Sequence, residues 1–98
     1  MQWIEPWQPI ETPSEADALR AELSRELPPA HPLSGLPLRA IGRRSDGDDV
    51  LFAIEDGSGR VASVHLTWRG AQEVLPWPST TLFEDLSAWV EAAREADA

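Results

Sequence analysis

Ninety-eight residues suffice for one domain, and a 42% hydrophobic content with five Trp can furnish its core without covalent staples. The absence of cysteine excludes disulfides and thiolate metal sites. A net charge of −9, with all eight basic residues Arg, argues against a nucleic-acid backbone as partner, because that surface demands clustered cations.

No apolar run approaches the ~20 residues that a bilayer span requires. Met1-Gln2-Trp3-Ile4-Glu5-Pro6-Trp7 offers neither the basic residue nor the apolar stretch of a signal peptide, so a cytoplasmic location is expected. Trp3, Pro6, Trp7 and Pro9 show no usable periodicity, which predicts an extended arm over residues 1–11. At least one of its tryptophans should pack on the domain, since leaving both in water is unfavourable. Thr12-Pro13-Ser14-Glu15 then starts a helix: Thr12 caps, Pro13 takes the first helical position and Glu15 completes a capping box. Ala16, Leu19, Leu23 and Leu27 form its apolar stripe, and Asp17, Arg20, Glu22, Arg25 and Glu26 are assigned to solvent. Pro28-Pro29 stops the helix.

Beyond the loop over 30–35, Leu36, Leu38 and Ala40 alternate until Ile41 breaks the pattern. Gly42 there predicts a bulge or bend in a strand that ends near Arg44. Ser45-Asp46-Gly47-Asp48 is a turn by composition. Val50, Phe52 and Ile54 define a second strand, and Ala62, Val64, Leu66 and Trp68 a third, the longest alternating run in the chain. A three-residue loop, Gly57-Ser58-Gly59, places Ile54 opposite Ala62, Phe52 opposite Val64 and Val50 opposite Leu66, with Gly59 left-handed. Leu51, Ala53, Ser63, His65 and Thr67 then share the other face.

After a loop holding Gly70, Pro76 and Pro78, Thr81 and Glu84 form a second capping box. Leu82, Phe83, Leu86, Trp89, Val90 and Ala93 follow as an amphipathic stripe. The predicted fold class is α+β: helix, three-stranded antiparallel meander, helix (αβββα), with an arm over 1–11 and a single domain over 12–98. The two helices must cover the sheet, and the pattern leaves open whether they share a face.

His31-Pro32-Leu33, Asp48-Asp49-Val50-Leu51-Phe52 and Val64-His65-Leu66-Thr67-Trp68, closing with Trp77-Pro78, resemble a group of small uncharacterised bacterial proteins. The likeness covers most of the chain from the first helix onward. It implies a bacterial source, in keeping with the absence of Lys and Asn beside abundant Ala and Arg, and it implies no activity, cofactor or site.

His31 and His65 are the only imidazoles. With Asp48 or Asp49 they could compose a nitrogen–oxygen metal site, but they stand 34 positions apart without the close ligand pair typical of zinc. A hydrogen bond between His65 and Asp49 on one sheet face is a reasonable expectation. Ser63 shares that face, yet i, i+2 neighbours on a strand stand about 7 Å apart, and no oxyanion glycine motif precedes it. Arg39, Arg43 and Arg44 form the basic cluster. It could grip a phosphate or an acidic peptide, but Asp46, Asp48 and Asp49 just beyond it are the expected partners. Trp68, Pro76, Trp77 and Pro78 read as a hydrophobic lid over one end of the sheet. Trp68 and Trp89 are favoured as core, and Trp77 stands evenly between core filler and binding anchor.

No catalytic residue, metal site or cofactor is therefore expected. The expected function is a non-enzymatic protein–protein interaction module of the immunity, antitoxin or adaptor kind. Its partner is another protein of basic character, and its functional surface comprises His65, Asp49, His31 and Trp77. Neither nucleic acid nor membrane is an expected partner, and the oligomeric state is not set by the sequence. The rival expectation is a hydrolase or metal-dependent enzyme built on His31, His65 and Asp49.

Overall fold

The computed structural model describes residues 3–96, which form β1 (Trp7–Pro9), α1 (Pro13–Glu26), β2 (Leu38–Arg44), β3 (Asp49–Ile54), β4 (Val61–His65), β5 (Thr80–Phe83) and α2 (Leu86–Ala96). The strands make one antiparallel sheet in the order β1-β2-β3-β4-β5. The expected αβββα arrangement is thus corrected: the fold is α+β, but two edge strands, β1 and β5, flank the expected three. Each edge strand hides for a physical reason. β1 spans three residues and ends in Pro9, too short for alternation to register. β5 contains Thr81, which with Glu84 mimics a helix cap, although Thr-Thr-Leu-Phe suits a pleated edge as well.

α1 begins as its sequence dictates, with Thr12 Oγ1 accepting the Glu15 N–H at 3.2 Å and Pro13 in the first turn. The Glu15 carboxylate does not return to the cap; it pairs with Arg43 at 3.0 Å. α2 starts later than expected, because Asp85 supplies the cap and accepts the Ala88 N–H at 2.8 Å. Leu86, Trp89, Val90 and Ala93 still turn to the sheet, as their spacing predicts.

Strand alternation sorts the apolar side chains into two layers. Leu19 and Leu23 of α1 pack with Ala40, Val50, Phe52, Ile54, Ala62 and Val64 on one face. Trp89 and Ala93 of α2 pack with Trp7, Leu51 and Val61 on the other. The helices therefore cover opposite faces, as a sheet apolar on both sides requires. Trp89 meets the arm tryptophans edge-on, with ring centroids 5.6 Å from Trp3 and 5.1 Å from Trp7. Trp3 lies on Gly42, where any Cβ would collide with its indole. The register shift between Ala40 and Gly42 is the expected bulge, and it turns Ile41 toward the α2 side.

The β3–β4 hairpin has a five-residue loop, closed by the Ile54 N–H donating to the Arg60 carbonyl at 3.0 Å. Phe52 therefore faces Ala62, and Val50 faces Val64, which corrects the expected pairs. The slip is two residues, so every side chain keeps its expected face. Asp56 stabilises the longer loop by accepting the Ser58 N–H at 3.0 Å and Arg60 Nη2 at 3.1 Å. Those contacts, Ser58 foremost, lower the Asp56 carboxyl to about 2. Gly59 has φ 80° with open space around it. Gly59→Val should still destabilise by about 1–2 kcal/mol, because a β-branched residue opposes the left-handed backbone. A urea-midpoint shift checks this, and an unchanged midpoint would contradict it.

Candidate functional site

The apolar stripe of α1 includes two carboxylates. Glu22 and Glu26 stand three and seven residues beyond Leu19, share its face and are only 2% and 0% exposed, which corrects their assignment to solvent. The loop over 66–79 draws them inward. The Glu26 carboxylate accepts the Thr67 and Trp68 N–H groups at 2.9 and 3.0 Å, and its carbonyl accepts the Glu73 N–H at 2.9 Å. Glu73, also buried, accepts from the Thr67 hydroxyl at 2.8 Å and from Arg69 at 3.2 Å. Trp68 is held at φ 57°, a left-handed conformation costly for its side chain, and the bond to Glu26 pins it there.

Burial, and then the hydrogen bond with Glu22, push the Glu26 carboxyl above its ordinary value, against the lowering effect of the Thr67 and Trp68 N–H groups. That hydrogen bond, followed by Arg25 at 2.6 Å, holds Glu22 below the ordinary value against the opposing effect of burial. Glu22 Oε2 is buried and has no hydrogen-bond partner among the described residues. The loop is thus latched to α1 by a carboxyl pair.

The latched loop displays Val74, Leu75 and Trp77 at 79%, 47% and 49% exposure. Leu75 and Trp77, together with Leu82 of β5 and His31, border an open groove of about 500 Å³. His31 is a strut in its wall. Its Nδ1 accepts the Leu33 N–H at 3.1 Å, which leaves Nε2 to donate to the Pro78 carbonyl at 3.0 Å. This tautomer follows from the two partners, and it leaves no ring lone pair for a metal. The α1–β2 connection is thereby tied to the start of β5.

The expected surface residues do not form one site. His65 lies directly across from Asp49, and its Nδ1 is 2.6 Å from Oδ1, so the expected hydrogen bond is present. Both project on the α2 side of the sheet, whereas His31 sits with the α1-side layer. Among the described residues no three His, Asp or Glu side chains are close enough to hold a metal ion. Ser63 shares a face with His65, but the imidazole bonds Asp49 instead. The arginine cluster is dispersed over acids: Arg39 on Glu55, Arg43 on Glu15 and Arg44 on Asp46, each within 3.0 Å. Only Asp46 is among the expected partners. Trp89 is core, but Trp68 is 47% exposed, contrary to expectation.

Leu75, Leu82, Glu26 and Glu73 escape reading from sequence. For Glu26 the usable signal was position, since it falls on the leucine stripe although its chemistry points to water. No protein-family model matches the chain, and no curated protein or solved structure matches it. No helix among the described residues is long and apolar enough to cross a membrane.

Proposed function

We propose that this protein is a non-enzymatic interaction module that binds another protein through the groove bordered by Leu75, Trp77 and Leu82. One observation carries the reading: large apolar side chains are exposed together at one sheet edge, on a loop that buried carboxyls fix in place. Scattered exposed hydrophobics are ordinary, but a set around one groove marks a contact surface. A half-exposed Trp beside an apolar recess is the kind of group from which binding hot spots are built. The −9 charge favours a basic partner. An immunity, antitoxin or adaptor role in the cytoplasm fits these properties. Against the enzyme alternative stands the separation of His31, beside Thr80 and Pro78, from the His65–Asp49 pair on the other side of the sheet.

A photo-crosslinking residue at position 77, compared with one at exposed position 17 on α1, identifies the partner in cells of the source organism. With that partner purified, Trp77→Ala should weaken binding by about 2 kcal/mol, roughly thirtyfold. His65→Gln should leave Kd unchanged, and added salt should raise it, because charges beyond about 8 Å are screened at physiological ionic strength. A Trp77→Ala variant that binds normally would sink the reading. So would a well-folded His65→Gln variant without biological activity.

A further inference from the structure

Resting on that interaction reading, we infer that the partner supplies an extended segment with alternate apolar residues and basic neighbours, and that this segment adds to the sheet along the outer edge of β5. Among the described residues β5 pairs only with β4, which leaves its other edge free. The His65 N–H donates to the Ser79 carbonyl at 2.9 Å, and antiparallel pairing alternates from there. Thr81 and Phe83 therefore direct their backbone groups at β4, whereas Thr80 and Leu82 direct theirs outward. Thr80 and Leu82 are also the β5 residues that line the groove. An added strand would hydrogen-bond to those two residues, and its side chains opposite them would fall on the groove face beside Trp77. Backbone donors, acceptors and an apolar recess thus coincide at one edge.

The opposite edge of the sheet makes an instructive contrast. β1 is three residues long, ends in Pro9 and follows Pro6, which are ordinary protections against strand addition. Thr80–Phe83 contains no proline and no charge, the composition such protection would avoid. Charge selects the occupant. Glu84 and Asp85 directly follow β5, Glu91 and Glu95 outnumber Arg94 farther along α2, and no Asp, Glu or Arg lines the groove itself. A second copy would bring another −9 to this edge, whereas a basic segment is attracted to it.

The test uses the full chain and a fluorescent heptapeptide alternating isoleucine with lysine. Nitrogen–proton NMR should show saturable shifts at the Thr80 and Leu82 amides and at the Trp77 indole. N-methylation of the isoleucine amides should weaken binding about tenfold or more, since those amides would face β5. Leu82→Pro should do the same while preserving the β4–β5 ladder, because the lost N–H points outward. If that variant fails to fold, the N-methylated peptide performs the same test on the native chain. Replacing lysine by glutamate in the peptide should abolish binding. Shifts at Trp77 without the β5 amides would retain the groove but overturn strand addition. Shifts at neither would overturn both the inference and the interaction reading. Concentration-dependent dimerisation through β5 in the absence of peptide would overturn the inference by placing a second copy on this edge.

Discussion

Trp89→Ala should destabilise the protein by about 3–5 kcal/mol, the loss typical of truncating a large buried aromatic residue. Trp89 is 2% exposed and is the piece of α2 on which the arm closes, touching both Trp3 and Trp7 edge-on. Its removal opens a cavity and forfeits two aromatic pairs, each worth about 0.5–1.5 kcal/mol beyond area burial. Because α1 covers the other face, the damage should be unequal. Hydrogen exchange should accelerate first in β1 and α2, and less at Leu19 and Leu23. Chemical denaturation measures the total, and a loss under about 1 kcal/mol would mean that the α2 layer contributes little to the fold.

Glu26→Ala should cost about 1–3 kcal/mol, because the partly buried Thr67 and Trp68 N–H groups lose the carboxylate that accepts both. The left-handed Trp68 would also lose its restraint. Glu26→Gln is the discriminating partner variant. The two N–H groups go to different Glu26 oxygens, so the amide oxygen can accept only one of them, but the side chain no longer titrates. The pH dependence has a defined sign. Glu26 is shifted upward, so its contribution is present at low pH and fades as pH rises through its folded value. Glu22 is shifted downward, so its contribution is present above the ordinary carboxylate value and fades as pH falls below it. Stability from the pair should therefore be greatest between those two folded values. Glu26→Gln should remove the decline on the alkaline side. Equal slopes for the two proteins in urea titrations from weakly acidic to neutral pH would contradict the upward shift of Glu26.

The contrast between Leu23 and Glu26 shows what can be read from the chain and what cannot. Leu23, Phe52, Val64 and Trp89 declare their burial because spacing and chemistry agree, and all four lie in the core. Glu26 has the spacing of a core residue and the chemistry of a surface one. Only the loop that folds back from Thr67 to Glu73 decides between them, and contacts 41 residues apart leave no periodic trace. The hairpin register failed for a related reason. Burial fixes the face of each side chain but is indifferent to a slip of two residues, and Asp56 makes that choice through loop hydrogen bonds. β5 was concealed because Thr81 and Glu84 satisfy a helix-cap pattern that Asp85 fulfils instead. At the candidate site, Trp77 and the His65–Asp49 bond were legible. The groove was not, since Leu75 and Leu82 meet only through the chain reversal between them.

The most direct measurement is amide hydrogen exchange along β5 in the unliganded protein. The free-edge assignment predicts alternation: slow exchange at Thr81 and Phe83, whose N–H groups bond to β4, and fast exchange at Thr80 and Leu82, whose N–H groups face outward. Adding the alternating isoleucine–lysine peptide should slow Thr80 and Leu82 selectively. Uniformly slow exchange before any addition would mean that the edge is already covered. Uniformly fast exchange would mean that the strand is not paired to β4, and either result would contradict a free strand edge poised beside the Trp77 groove.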